Sequence, residues 1–395
     1  MSEQVQSLKS LTLFCKVVDN YGDIGICWRL ARQLEREHHI DVHLWVDDLR
    51  SFQRICPDVK LNINTQNVAG VIVHHWRDQN GTFTPEDVSD IVIEFFACDI
   101  PPSYIQAMAQ RQPRAVWLNL EGLSAEAWVE GCHTLSSPHG SLPVTKYFFF
   151  PGFNSKTGGL LIESELEQRR QQFVSDPATI AEFLSGLGLS RNEIDALKIS
   201  LFCYPHAPAT ALFEAWKKNA TPITCLVPEG VAMEAVQAFT GQPAKAGSVT
   251  TIGALTIRVL PFVPQPDYDK LLWACDLNFV RGEDSFVRAQ WAAKPFVWHI
   301  YPQDENLHHV KLNAFLKCYT PNTEHLAAMM LAWNAVTSLP IQWDSIWQAF
   351  AADMPQIADL ALQWQQQLIA NGDMTSNLLK FAHTVHQQSV NNEQK

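Results

Sequence analysis

Two aspartates four residues apart, Asp19 and Asp23, sit in the segment VVDNYGDIG (17–25), between an apolar run and a run with helical spacing. Paired carboxylates suit two kinds of chemistry: one can take a proton as a general base, and both can hold a cation. Gly22 and Gly25 give the segment the look of a phosphate loop, yet the G-x-G-x-x-G pattern and the Walker lysine and serine are missing. Two carboxylates would also repel a phosphate. A plainer role is open for the same residues: Asp23 would cap the following helix, and Gly22 would supply a positive φ at its start.

A second polar turn, Arg281-Gly282-Glu283-Asp284-Ser285, follows the apolar run LNFV (277–280) and precedes another helical stretch. Backbone N–H groups at such a helix start can bind a diphosphate, and Arg281 would add positive charge. Asp284 or Ser285 is the expected N-cap, and Glu283 is then a carboxylate in need of a role. Ordinary capping with an Asp284–Arg288 helix pair is the alternative. In LPFVPQPDYD (260–269), prolines stiffen a loop holding Phe262 and Gln265. The aromatic ring could stack on a base and the amide could pair with its polar edge, unless Phe262 is simply core. Asp267-Tyr268-Asp269 matches the D-x-D triplet of metal-dependent sugar transferases, but Asp267 there is the expected N-cap of a helix. Tyr204, at a strand end before Pro205, is a candidate ligand contact or a wedge.

These turns need elements to hold them. Apolar runs at 11–18, 42–46, 71–76, 90–96 and 115–120 read as strands, with polar or helical segments between them. The pattern resumes at 199–204, 223–227, 255–263, 277–280 and 295–300, and from about 305 the chain reads as helical. Short apolar strands alternating with helices predict parallel sheets covered on both faces, and ligands of such sheets bind beyond the carboxyl ends of the strands. The Pro- and Gly-rich stretch KYFFFPGFNSKTGGLLIE (146–163) reads as the linker between two Rossmann-like domains.

Composition agrees. The 395 residues exceed one ordinary core, and 47% hydrophobic with 18% charged residues fits a globular protein. A formal net charge of −12 argues against a nucleic-acid backbone binder and suits a cationic partner. Nine cysteines without a C-x-x-C pair read as buried free thiols. The adjacent pairs His38–His39, His74–His75 and His308–His309 do not make metal sites, because neighbouring side chains on a helix or strand point apart. No secretion signal or membrane span is read, so a cytoplasmic protein without membrane contact is expected.

The stretches FCKVVDNYGDIGICWRLARQL (14–34), HLWVDDL (43–49) and LPFVPQPDYDKLLWACDLNFVRGEDSFVRAQWAAKPFVWHIYPQ (260–303), with the helical C-terminal part, closely resemble the bacterial protein-arginine rhamnosyltransferases that modify elongation factor P, the EarP family. The resemblance runs from about residue 11 to about 385. It implies an α/β GT-B glycosyltransferase with two Rossmann-like domains facing a central cleft. An N-terminal acceptor-binding domain would span 1–160, with a helix at about 370–390 packing back on it, and a nucleotide-sugar domain would span 161–365. It implies no cofactor and no metal. The donor would be dTDP-β-L-rhamnose, and the acceptor a loop-tip arginine of elongation factor P, glycosylated with inversion to relieve polyproline stalling. The family's base-like aspartate falls on Asp23, its partner on Asp19 and its catalytic-loop glutamate on Glu283. Base stacking falls on Phe262 and base reading on Gln265. Diphosphate contacts fall on Tyr204, Asp284 and Ser285, with Arg281 beside them. A monomer is expected.

Two rivals share the paired architecture. A nucleotide-cofactor oxidoreductase would want G-x-G-x-x-G, which the first domain lacks. A two-lobed solute-binding module would remain as a cytosolic sensor.

Overall fold

The computed structural model describes residues 8–19, 21–77, 81–320, 323–336 and 340–393. The chain forms two compact units: Met1–Ser164 with Leu368–Lys395, and Glu165–Gln367.

The first unit is built on eight strands: β1 (Ser10–Cys15), β2 (Asp41–Val46), β3 (Thr65–Val68), β4 (Val71–His75), β5 (Ile91–Phe95), β6 (Val116–Leu120), β7 (Ser136–Pro138) and β8 (Thr145–Phe149). Their order is β3-β4-β2-β1-β5-β6-β8-β7. The six inner strands run parallel, and the edge strands β3 and β7 pair antiparallel. β5 and β6 are buried at every position, as a parallel sheet covered on both faces requires. Phe14 on β1 packs edge-on to Tyr104 of the Pro102–Gln110 helix with ring centroids 5.0 Å apart. The edge strands escape sequence reading because TQNV and SSP are short, polar and largely exposed.

The second unit holds β9 (Leu197–Leu201), β10 (Ile223–Pro228), β11 (Val249–Ile252), β12 (Leu255–Leu260), β13 (Leu277–Arg281) and β14 (Phe296–His299), in the order β11-β12-β10-β9-β13-β14. All pairs are parallel except β11 with β12.

Both sheets reverse direction of growth once. In the first unit the chain builds outward from β1 to β2 and β4, then returns to β5 on the other side. In the second it builds from β9 to β10 and β12, then returns to β13. The carboxyl ends of β1 and β5, and of β9 and β13, therefore flank the two crevices where ligands of such sheets bind.

The stretch 146–163, read from sequence as a linker, belongs to the first unit. Lys146–Phe149 complete β8, and Phe150, Phe153, Leu160 and Leu161 are buried. Its aromatic and leucine side chains have more apolar surface than an exposed connection would carry. The chain passes between units at Ser164–Glu165 and at Gln367–Leu368. The helix Met374–Glu393 belongs to the first unit: Thr375 Oγ1 donates to Gln33 Oε1 at 2.8 Å, and Phe381 meets Tyr147 edge-on at 5.7 Å.

Candidate functional site

In the first unit, β1 ends at Cys15 and the helix Gly22–His38 begins after a short loop. Asp23 lies in that helix's first turn and is 4% exposed. It is not the cap. Tyr21 occupies that position without a side-chain cap bond. The Asp23 carboxylate instead reaches back, and its Oδ2 accepts the N–H groups of Val18 at 2.7 Å and Asp19 at 2.8 Å. Gly22 does not supply a positive φ either. Its role is space, since a Cβ there would lie 3.0 Å from Asp19 Oδ2.

Burial pushes the Asp23 carboxyl above the ordinary range, opposed by its two backbone hydrogen bonds and reinforced by the negative charges of Asp19 and Asp47. A carboxylate so placed is a better proton acceptor than one in water. Among the described residues no hydrogen bond reaches its Oδ1. Asp19, half-buried beside it, completes an anionic pair suited to a cation.

Asp47 was not singled out from sequence. It follows β2, and its Oδ1 accepts the Val17 N–H at 2.8 Å, which fixes the loop leading to Asp19. The signal was available in HLWVDDL, where one aspartate, Asp48, caps the Leu49–Ile55 helix and leaves the other without a capping duty. Across the crevice of the same unit, the segment after β5 is strained: Phe96, Ala97 and Asp99 all have positive φ, at 51°, 49° and 55°.

The other candidates lie in the second unit. Arg281 ends β13, with its guanidinium carbon 4.4 Å from the centre of the Phe202 ring and 5.0 Å from that of Tyr204. Its Nη1 donates to the Cys203 carbonyl at 2.9 Å. The guanidinium is thus laid against two aromatic faces at the end of β9. Gly282 turns the chain with φ 63°, where a side chain would be strained, and Trp298 Nε1 donates to its carbonyl at 2.7 Å.

The helix Asp284–Trp291 follows, and its N-cap is Glu283 rather than Asp284 or Ser285, with no side-chain cap bond. Ser285 is occupied elsewhere: its Oγ accepts the Arg281 N–H at 3.1 Å and donates to the Arg281 carbonyl. That pair braces the turn. Gln265 opens the helix Gln265–Ala274 and donates from Nε2 to Asp284 Oδ2 at 3.4 Å, so these two candidates meet. Phe262 is half-buried in the loop before that helix and is not a core residue. Asp267 is not an N-cap: Pro264 takes that place, and Asp267 pairs with Lys270 at 2.9 Å. Its triplet mate Asp269 is buried against Arg288 at 3.0 and 2.8 Å.

Tyr204 is 5% exposed, and its N–H donates to His299 Nδ1 at 3.2 Å. His206 stacks on the Tyr204 ring at 5.9 Å. Neither histidine was singled out from sequence, because a lone histidine at a strand end (His299) or in the loop after one (His206) carries no spacing signal. Of the adjacent histidine pairs, His74 bonds through Nε2 to His43 at 2.9 Å on the neighbouring strand, and burial lowers it to about 4. Among the described residues no group of three or more His, Cys, Asp or Glu is arranged to hold a metal ion, and no helix is long and apolar enough to cross a membrane. All nine cysteines are free thiols, and seven of them are buried.

Comparison with known proteins accords with this layout. The family model for the elongation-factor P (EF-P) rhamnosyltransferase EarP matches residues 11–383. A protein-arginine rhamnosyltransferase of Pseudomonas putida is 45% identical over 372 residues, covering 93% of this chain and 97% of that protein. One of Pseudomonas aeruginosa is 43% identical over 380 residues, covering 95% and 99%. A solved structure described as the basis for EarP-mediated arginine glycosylation of translation elongation factor EF-P is 33% identical, with a TM-score of 0.65, over 94% of this chain and 98% of that one. Two Rossmann-like units in one chain make the fold that of a GT-B glycosyltransferase. With most of its length matched by the family model and by these relatives, the chain belongs to the EarP family of elongation-factor P rhamnosyltransferases.

Proposed function

We propose that this chain moves L-rhamnose from dTDP-β-L-rhamnose to a loop-tip arginine of elongation factor P, with inversion and without a metal ion, in support of translation through polyproline stretches. Family membership supports the arginine acceptor. The observation that carries the reading furthest is the Asp23 carboxylate, buried yet held beside Asp19 by two backbone N–H groups.

The acceptor problem is that a guanidinium is protonated near neutral pH and its lone pair is delocalised. Asp19 and Glu283 are assigned to orient the cation, and Asp23 to take the proton as the new bond forms. In that step the attacking nitrogen bonds to the sugar's anomeric carbon. The bond from that carbon to the diphosphate oxygen breaks, and the electron pair leaves with dTDP. Attack opposite the leaving group inverts the anomeric centre.

The leaving group gathers negative charge. Arg281, set over the rings of Phe202 and Tyr204, and the N-terminus of the 284–291 helix are assigned to stabilise it. Phe262 is assigned to stack on thymine and Gln265 to read its edge, while Tyr204, Asp284 and Ser285 line the diphosphate. A net charge of −12 complements a basic acceptor loop. We place the enzyme in the cytoplasm with its acceptor, acting as a monomer.

The test is intact-mass analysis of elongation factor P after incubation with this protein and dTDP-rhamnose, with and without a chelator. One deoxyhexose should be added, and none to an acceptor whose arginine is replaced by lysine. Failure to add it would sink the assignment, and addition abolished by the chelator would remove metal independence alone.

A further inference from the structure

His299 ends β14, and it is 2% exposed. Its register partner on β13 is Arg281. Its ring reaches across the end of β13 to the loop after β9, where Nδ1 accepts the Tyr204 N–H at 3.2 Å. Between those two strand ends stands Gly282, which has no side chain to block the way, and its N–H donates to the His299 carbonyl at 3.3 Å.

That hydrogen bond fixes the tautomer. A ring nitrogen that accepts an N–H carries no proton, so the proton of the neutral ring is on Nε2. Burial, with further contributions from His206, Arg281 and His308, lowers His299 to about 3, so the ring stays neutral at working pH. Among the described residues no group accepts a hydrogen bond from Nε2. Nor is Nε2 one of the sealed, unpaired side-chain atoms, so it opens to solvent. A buried imidazole that spends one nitrogen on the backbone and presents the other as an unanswered donor is built to meet an acceptor from outside.

The neighbours define that acceptor. The Arg281 guanidinium is 5.0 Å from the centre of the Tyr204 ring, and the His299 ring is 5.2 Å from the same ring. The helix Asp284–Trp291 begins in the same turn. A cation, a helix N-terminus and an unanswered N–H gather at the reversal of the sheet, which is where an anionic ligand is favoured.

We propose that His299 Nε2–H donates a hydrogen bond to the diphosphate of a nucleoside diphosphate, beside Arg281 and the helix N-terminus. This rests on the nucleotide-donor reading of the second unit. His299 then has two duties on two nitrogens: Nδ1 positions Tyr204, and Nε2 holds the leaving diphosphate as its charge grows. A neutral donor does this without releasing a proton to the leaving group, which leaves the proton of the acceptor as the only one moved.

The two duties come apart by substitution. In His299→Asn the amide oxygen lies near the place of Nδ1 and can still accept the Tyr204 N–H, while the Nε2 donor is gone. In His299→Gln the amide nitrogen lies near the place of Nε2, while the brace is lost. Titration calorimetry of both variants and the wild type with dTDP and with thymidine separates the roles. The expected result is that His299→Asn binds dTDP about tenfold or more weakly and thymidine unchanged, with part of the dTDP affinity recovered in His299→Gln. An Asn variant equal to the wild type on dTDP, with a Gln variant weakened on both ligands, would reduce His299 to a brace and overturn the proposal. If neither variant folds, the ¹H–¹⁵N signal of His299 Nε2 in the wild type decides: it should move on adding dTDP and stay with thymidine, and an unmoved signal overturns the proposal. A wild type that binds neither ligand would sink the nucleotide reading itself, and this inference with it.

Discussion

The N–H of Asp19 donates to Asp23 Oδ2 at 2.8 Å, so the second aspartate of the pair holds the backbone of the first. Asp23 therefore has a structural part beside the chemical one proposed for it. Asparagine keeps an oxygen for the backbone N–H groups and loses the charge. Asp23→Asn is expected to lower turnover by about 10²- to 10⁴-fold, the range for removal of a general base, at saturating donor and acceptor. Near-wild-type turnover would remove Asp23 as the base.

The same variant carries a pH signature. Burial raises the Asp23 carboxyl in the folded protein. An acid with a raised folded pKa favours folding while protonated, and that stability is lost as pH rises through the folded value. Wild type and Asp23→Asn should therefore melt alike in acid, and the variant should become the more stable of the two as pH rises. Thermal melts across pH 3 to 7 read this, and a gap that closes with rising pH would contradict it.

Asp47→Ala leaves the Val17 N–H without its partner at the entrance to the same loop. The expected loss is about 1 kcal/mol of stability and about tenfold in kcat, while binding of dTDP is unchanged, because the nucleotide site is assigned to the other unit. Equal damage to nucleotide binding would mean that Asp47 acts more widely.

Arg281→Lys keeps the charge and loses the guanidinium contact with the rings of Phe202 and Tyr204 and the bond to the Cys203 carbonyl. Such an exchange is not conservative at a stacked site. Affinity for dTDP should fall about tenfold, measurable by calorimetry, and unaltered binding would remove Arg281 from the diphosphate site.

Glu193 offers a stability test away from the chemistry. Arg258 donates to its two oxygens at 2.6 and 2.7 Å and Ser190 at 2.6 Å, holding its carboxyl near 2 although burial acts the other way. A depressed carboxylate stabilises above its unfolded pKa, and the gain is lost as pH falls through the folded value. Glu193→Gln should lower stability at neutral pH by about 2 kcal/mol, allowing for solvent screening. Denaturant titrations should show that difference shrinking from about pH 4.5 towards 2.

The parallel strands were legible because apolar runs such as DIVIEFF (90–96) are buried on both faces and so carry no alternation to confuse. The edge strands were not, since TQNV and SSP have no apolar signal. The candidate turns were legible as strand-to-helix junctions, but their internal bonds were misread. Local sequence offered Asp23 as a cap in one of its two readings, Asp284 or Ser285 as the second and Asp267 as the third, whereas Asp23 folds back on its own loop and Glu283 and Pro264 take the other two cap positions. Local preference names which residues sit near a helix start, and only the path of the preceding loop decides which way each side chain turns. Asp47 and His299 were missed because their partners, Val17 and Tyr204, lie 30 and 95 residues away.

The first unit is drawn from two stretches of chain, with Glu165–Gln367 inserted between them. Synthesis imposes an order on such a unit. Its eight strands are made before the inserted unit, but Thr375, which donates to Gln33, and Phe381, which packs on Tyr147, emerge only after it. At bacterial translation speeds, the 203 residues from Glu165 to Gln367 take roughly 10 to 40 seconds. For that interval the sheet bearing Asp19 and Asp23 exists without its closing helix, whereas the inserted unit needs no residue beyond Gln367. The nascent chain would thus complete the unit to which the nucleotide is assigned before the unit to which the base is assigned.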